Sequence, residues 1–283
     1  MTATARIIAG NRLHLQHGPI DLVIGADGDS AFVERAYRAA AECFPSILPG
    51  LVEELEILRS PIGLMPPRVD GQVARRMYAA VRPYRDRFIT PMAAVAGSVA
   101  DHVLAMMLQA AQLRRAYVNN GGDIALHLGP SEMFAAGVIG DLAAPGIDAR
   151  VTIRAGDGIG GIATSGWRGR SQSLGIADAV TVLARDATTA DAAATMIANA
   201  VNVEDPAIER RPAREVKDDS DLGDLPVTVA VGRLSPEVRA RALAGGRMRA
   251  QEILGHKRII AAYIQLQGEM VVVGANALTA VAA

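Results

Sequence analysis

Apolar and polar positions alternate over residues 6–24, broken at Gly10-Asn11 and His17-Gly18-Pro19, which predicts two or three short strands and an antiparallel start. In the turn over 25–30, Asp29 or Ser30 can cap a helix running to about Cys43, which Pro45 and Pro49 end. A short acidic helix over 51–58 and a basic helix over 71–81 flank a loop carrying Pro61, Pro66 and Pro67. Residues 88–98 read as a strand running into a loop of small residues, and 99–113 as an apolar helix. A tight hairpin is predicted over 117–128, turning on Gly121-Gly122. Strands follow over 133–139, 149–154 and 160–163, then a strong strand ending near Ala184 and a helix of small residues over 189–199. After a strand at 227–231, Ser235-Pro236 starts a helix to about Leu254 that Gly245-Gly246 can interrupt. Residues 259–266 and 270–273 predict a closing hairpin about Gly268-Glu269, and the Ala-rich end is expected to fray. Roughly ten short strands and six helices, with hairpins outnumbering crossovers, indicate an α+β fold of mixed, largely antiparallel sheets with flanking helices.

Composition bounds this picture. With 283 residues, half of them hydrophobic, the chain can bury a sizeable core as a single domain over 1–283, leaving the charged stretch near 204–224 as an exposed loop. The 29 Lys+Arg and 30 Asp+Glu leave a formal charge of −1, which argues against nucleic acid or an anionic membrane as partner. At 4% aromatic residues, stacking platforms for single strands are also unexpected. A small-molecule ligand is the expected partner, with a homo-oligomer left open. The single cysteine, Cys43, excludes an internal disulfide and reads as a core residue in a reducing compartment. No signal-peptide pattern opens the chain and no apolar run approaches the width of a bilayer, so a cytoplasmic location is expected.

Candidate chemistry concentrates in the small-residue helix over 189–199. Asp191 and Thr195 lie four apart and project from one helical face, and Thr188 or Thr189 can cap the first turn. A carboxylate near a helix N-terminus is stabilised by the dipole and expected to stay ionised at neutral pH. Asp and Thr oxygens are hard ligands suited to Mg²⁺ or Ca²⁺, and a cap of an ordinary core helix is the competing role for Asp191. The hairpin tip, Asn119, Asn120 and Asp123 around Gly121 and Gly122, is more polar than a turn requires. The run Gly156 to Gly161 contains G-x-G-x-x-G, but strand and turn residues follow it where a dinucleotide fingerprint needs a helix, so that reading is rejected. The five histidines show no metal-ligand spacing.

Three blocks in order resemble the ApbE-like superfamily of flavin transferases over about residues 90–200. Ala93-Ala94-Val95-Ala96-Gly97-Ser98-Val99-Ala100-Asp101 is similar to that family's Gly-Gly-Ile-Ala-Lys-Gly-x-x-x-Asp, and Tyr117-Val118-Asn119-Asn120-Gly121-Gly122-Asp123-Ile124 to its Val-Asn-x-Gly-Gly-Asp-Ile hairpin. The third is Ile162-Ala163-Thr164-Ser165-Gly166, followed after a strand by Ala190-Asp191-Ala192-Ala193-Ala194-Thr195. The versions around Ser171–Asp178 and Ala194–Asn199 look closest to an uncharacterised branch of that superfamily.

The resemblance implies an internally duplicated α+β fold and a pocket for a flavin nucleotide (FAD or FMN) or a pterin. Ala94, Ala96, Gly97, Asn119, Asn120, Gly121, Gly122, Asp123, Thr164, Ser165 and Gly166 would line it, and Asp191, Thr195 and a main-chain carbonyl near 94–96 would hold Mg²⁺. The implied activity is a metal-assisted transferase of the FMN transferase type, in cofactor metabolism. Two departures stand out: Ala96 replaces the transferases' Lys, and their His-containing block has no counterpart, the loop reading Gly169-Arg170-Ser171-Gln172-Ser173. Both remove groups that bind or activate phosphate, with Arg168 and Arg170 as substitutes on hand. The alternative function is therefore a non-catalytic cofactor-binding or carrier protein.

Overall fold

The computed structural model describes residues 2–65, 67–138, 149–169, 171–274 and 278–280. The first half runs β1 (Thr4–Ile8), β2 (Arg12–His17), β3 (Ile20–Asp27), α1 (Ser30–Cys43), α2 (Ile47–Glu53), α3 (Leu55–Leu58), α4 (Gln72–Val81), α5 (Val95–Ala110), β4 (Arg115–Asn120), β5 (Asp123–Leu128) and β6 (Met133–Val138). The second half runs β7 (Ala149–Arg154), β8 (Gly161–Ser165), β9 (Ala179–Ala184), α6 (Ala187–Ala200), β10 (Ile208–Pro212), α7 (Ala213–Val216), β11 (Pro226–Val231), α8 (Pro236–Gly255), β12 (Ala261–Leu266), β13 (Glu269–Gly274) and β14 (Leu278–Ala280). Two units partition the chain: Met1–Phe134, Ile153–Ala163 and Ala184–Ala192 form the first, and the remaining segments the second.

In the first unit the expected alternation builds an antiparallel sheet in the order β1-β2-β3-β4-β5-β8. Leu15 of β2, Leu22 and Ile24 of β3 and Val118 of β4 point to one face, where they pack with Val33 and Ala36 of α1 and Val103 and Met107 of α5. Asp29 caps α1, its side chain accepting from the Ala31 amide. Pro49 lies inside the first turn of α2 rather than ending α1, a position where the missing amide costs nothing.

The expected strand and small-residue loop over 88–98 is not what forms. A single 3-10 turn, Pro91–Ala94, leads directly into α5, so Ala96, Gly97 and Ser98 are helical. Pro91 at the first position of that turn favours the early start. Pro91–Ala110 is also, by length and composition, apolar enough to cross a membrane, contrary to the reading of the sequence by continuous runs. Half of it is buried within the protein, and Asp101 sits in its middle.

In the second unit β12 pairs with β9 and β13, all antiparallel, and α8 packs on β12 and β13. Ser235 caps α8 with Pro236 at its first position, as expected. Gly245 and Gly246 do not interrupt it. A Cβ at Gly245 would stand 2.5 Å from the Ala200 carbonyl oxygen, and one at Gly246 2.4 Å from Val201 Cγ2, so both glycines serve the close crossing of α8 with the end of α6. The β12–β13 turn falls on Gln267-Gly268, both at positive φ, one residue earlier than expected. The charged stretch 204–224 is largely exposed but ordered in part, because Ile208 and Ala213 are buried and anchor β10, paired with β11, and α7. A third sheet orders β14-β7-β6. Ile139 at the end of the expected strand over 133–139 and most of the Ala-rich end lie outside the described residues.

Candidate functional site

Three glycines of the first unit admit the start of α6. A Cβ at Gly97 would lie 2.3 Å from the Ala187 carbonyl oxygen, one at Gly160 2.3 Å from that of Arg185, and one at Gly161 2.1 Å from the Ala187 nitrogen. Thus the last two glycines of the rejected G-x-G-x-x-G run serve backbone packing, and β8 follows them as expected.

The first-turn amides of α6 are met by carboxylates rather than by Thr188 or Thr189. Asp186 accepts from the Thr189 amide at 2.7 Å. Asp101, from the second turn of α5, accepts from the Ala187 amide at 3.1 Å, the Thr188 amide at 2.8 Å and the Thr188 hydroxyl at 2.5 Å. Thr188 therefore donates to an acid instead of accepting from its own helix. A carboxylate wins because it can accept several N–H and O–H groups at once.

Asp191 returns the arrangement. The N-cap of α5 is Ala94, buried and without a side-chain acceptor, and the Gly97 amide three positions on donates to Asp191 Oδ2 at 3.0 Å. Each helix thus closes the other's N-terminus with an acid from its own second turn: Asp101 of α5 on α6, Asp191 of α6 on α5. The offsets match, since Asp101 follows Gly97 by four residues and Asp191 follows Ala187 by four.

The hairpin tip reaches the same place. Gly121 and Gly122 have φ of 65° and 114°, the left-handed region a two-residue turn needs, and the Gly122 amide donates to Asn119 Oδ1 at 2.8 Å. Asn119 is therefore used by the turn itself. Asn120, buried, donates from Nδ2 to the Ala96 carbonyl at 3.1 Å, tying the hairpin to α5, and Asp123 lies close enough to act on Asp191.

Although part of residue Asp191 reaches solvent, its carboxyl group is enclosed. Burial pushes that carboxyl well above the usual carboxylate range, Asp123 and more weakly Asp101 push it the same way, and the Gly97 and Ala96 amides pull it partly back. Asp191 therefore gains little from its own helix dipole, because it stands in the second turn of α6 beside two like charges. Asp101 is raised as well, by burial, with Asp186 adding and the Thr188 and Ala187 contacts opposing. Among the described residues, no basic side chain is among the groups that act most on Asp191. Among the described residues no three His, Cys, Asp or Glu side chains converge on one ion position. An ion here would complete its shell with hydroxyl, carbonyl, water or ligand oxygens, as Mg²⁺ habitually does, and neighbouring acids that raise one another's pKa suit a divalent cation.

The remaining expected residues lie in the second unit. Thr195 is one turn further along α6 than Asp191 and half-buried. Thr164 Oγ1 stands 2.8 Å from Thr181 Oγ1. Ser165 is half-buried, and Gly166 is needed where a Cβ would stand 2.4 Å from the Asp178 carbonyl oxygen. Asp178 Oδ1 then accepts from Trp167 Nε1 at 3.2 Å and Arg168 Nε at 3.0 Å, with the Arg168 guanidinium stacked 4.6 Å over the Trp167 ring. Arg168 is thus committed to an ion pair rather than free to replace a missing Lys, and Arg170 lies outside the described residues. Asp178→Asn is expected to lower stability by about 1 kcal/mol, and to change the emission of Trp167, the only tryptophan, read in one fluorescence melt.

Asp101, Asp186 and Thr188 belong to the site although the reading of the sequence gives them no part in it. The repeated signal, a small residue with Asp four positions on in two helices, was available. Cys43 is half-buried against the core rather than inside it, and burial pushes its thiol up to about 11.

A family model described as AbpE bacteria matches residues 4–272 of this chain. A UPF0280 protein of Methanopyrus kandleri is 34% identical over 183 residues, 63% of this chain and 71% of that protein. A UPF0280 protein of Methanothermobacter thermautotrophicus is 37% identical over 174 residues, 58% of this chain and 62% of that one. Among solved structures, the flavinyl transferase ApbE of Pseudomonas stutzeri is 15% identical with a TM-score of 0.42, covering 98% of this chain and 96% of that chain.

Proposed function

From the premise that this chain belongs to the family described as AbpE bacteria, we propose that it binds a flavin- or pterin-type nucleotide in cofactor metabolism, with a divalent ion held by Asp191 and, one helical turn on, Thr195. The observation that carries the reading is the enclosed Asp191 carboxyl, which accepts from the Gly97 amide and has Asp123 and Asp101 close enough to repel it. Such a site gains most from a cation, and the cation when bound would neutralise the diphosphate of a nucleotide. The chain's own part is positional. Asn120 fixes the hairpin tip to Ala96, Asp101 fixes the start of α6, and together they set where Asp191 stands.

A binding or carrier protein without transferase chemistry is the second reading. Ala96 in place of Lys favours it, because that position then offers no ammonium to activate phosphate.

Incubation of the purified chain with FAD and Mg²⁺ decides between the two. AMP release or covalent flavin indicates transfer. A rise in melting temperature without either product indicates binding alone, with about 2.7 kcal/mol of stabilisation at a hundredfold excess of ligand over Kd. If neither FAD nor a pterin moves the melting temperature, with or without Mg²⁺, the proposal fails.

A further inference from the structure

At the other end of the β3–β4 pair from the hairpin tip, the first unit contains a cavity of about 590 Å³ lined by Ile7, Asn11, Asp27, Glu34, Tyr37, Arg38 and Arg114, among others. The register puts Asp27 opposite Arg115 and Leu22 opposite Asn120, so the cavity is five strand positions, about 17 Å, from the residues that hold Asp191. Ser30, Val33, Glu34, Tyr37 and Arg38 form one face of α1 along its wall.

The charges of this cavity sort into engaged and available. Asp27 is held by Arg115. Arg114 meets Glu132 at 3.3 Å, but its side chain is 68% exposed, so the pair is weak and a phosphate can compete for the guanidinium. Among the described residues, neither Glu34 nor Arg38 makes an ion pair, although they stand one turn apart on the same helix face, where such partners commonly meet. Tyr37 is buried, its hydroxyl donates to the Asn11 carbonyl at 2.8 Å, and its oxygen, already met by the Ala26 amide, keeps one further lone pair for a donor.

Two guanidiniums lining one cavity suit a doubly charged phosphate, while a carboxylate and a phenol oxygen suit a body that donates hydroxyls. We propose that this cavity is a binding site for a sugar phosphate, its phosphate held by Arg38 and Arg114 and its hydroxyls donating to Glu34 and Tyr37. The volume accommodates either a free pentose phosphate or a nucleoside monophosphate, which share this chemistry.

Calorimetric titration of the full chain with ribose 5-phosphate, adenosine 5′-monophosphate, inorganic phosphate and ribose tests it. Ribose 5-phosphate is expected to bind more tightly than phosphate or ribose. Arg38→Ala should weaken it about tenfold, whereas Glu34→Gln should weaken ribose 5-phosphate and spare inorganic phosphate. Both positions are exposed, so the unliganded melting temperature should stay unchanged. Tighter binding of the monophosphate than of ribose 5-phosphate assigns the site to nucleotides, and equal binding to sugar phosphates. Asp191→Asn should leave these affinities intact, which separates this cavity from the site proposed above. Absence of heat with both phosphate esters overturns the assignment, as does binding that survives in the Arg38→Ala, Arg114→Ala double variant.

Discussion

Asp101→Ala is expected to destabilise the protein by about 3–5 kcal/mol, lowering the melting temperature by about 10 °C. Asp101 accepts from two backbone amides and one hydroxyl, and is itself 9% exposed. Its removal strands those three donors where water reaches them poorly. Each stranded group costs about 1–3 kcal/mol, and the cavity left by the carboxyl recovers part of this by admitting water. Asn at this position keeps one acceptor but turns an NH₂ toward the Thr188 hydroxyl or an amide, so Asp101→Asn should fall between wild type and Ala. Thr188→Val removes only the hydroxyl, the partner whose loss leaves Asp101 two amides, and should cost about 1 kcal/mol. A thermal melt of the three variants followed by circular dichroism orders them. A loss under about 1 kcal/mol for Ala would mean that Asp186 alone holds the start of α6, by the common capping value.

Much of this cluster was legible in the sequence, but not the relation among its members. The hairpin turning on Gly121-Gly122 followed from two adjacent glycines between alternating segments, because a two-residue turn needs positive φ at both positions. Helix α6 and the Asp191–Thr195 spacing followed from helical periodicity. The start of α5 did not. Ala93, Ala94 and Ala96 favour a helix while Val95, Gly97 and Ser98 weaken it, and what requires glycine at 97 is its approach to Ala187, ninety positions away. The same holds for Asp101 and Asp191. A sequence shows an acid near a helix N-terminus and suggests that it caps its own helix, whereas here each acid lies in the second turn, too far in for that, and reaches the neighbouring helix. Gly245-Gly246 illustrates the converse: a pair that looks like a break is a contact surface once Ala200 and Val201 are beside it.

Asp191→Asn is expected to raise stability at neutral pH by about 2 kcal/mol, while abolishing any response to divalent cations. The sign follows from linkage. Burial and the acids Asp123 and Asp101 hold the folded Asp191 carboxyl well above its ordinary value near 3.8, so between that value and the raised one the folded chain keeps a proton that the unfolded chain has lost. Its contribution is complete below the unfolded value and is lost as the pH climbs through the folded one. Asp101, raised in the same direction, adds to the slope. His102 opposes it, because burial lowers its pKa and so penalises folding when the unfolded imidazole is charged. Measuring the difference between wild type and Asp191→Asn at each pH cancels both. That difference should be small near pH 4 and widen steadily into the neutral range, where Asn replaces repulsion among three acids by a neutral amide that still accepts from Gly97. Mg²⁺ supplies the missing positive charge by another route. It should raise the wild-type melting temperature more at pH 8 than at pH 5, since it binds the ionised carboxyl, and leave the Asn variant unmoved. Parallel melting curves across pH for the two proteins would mean that Asp191 titrates as an ordinary surface acid. A Mg²⁺ response retained by Asn would place the ion elsewhere.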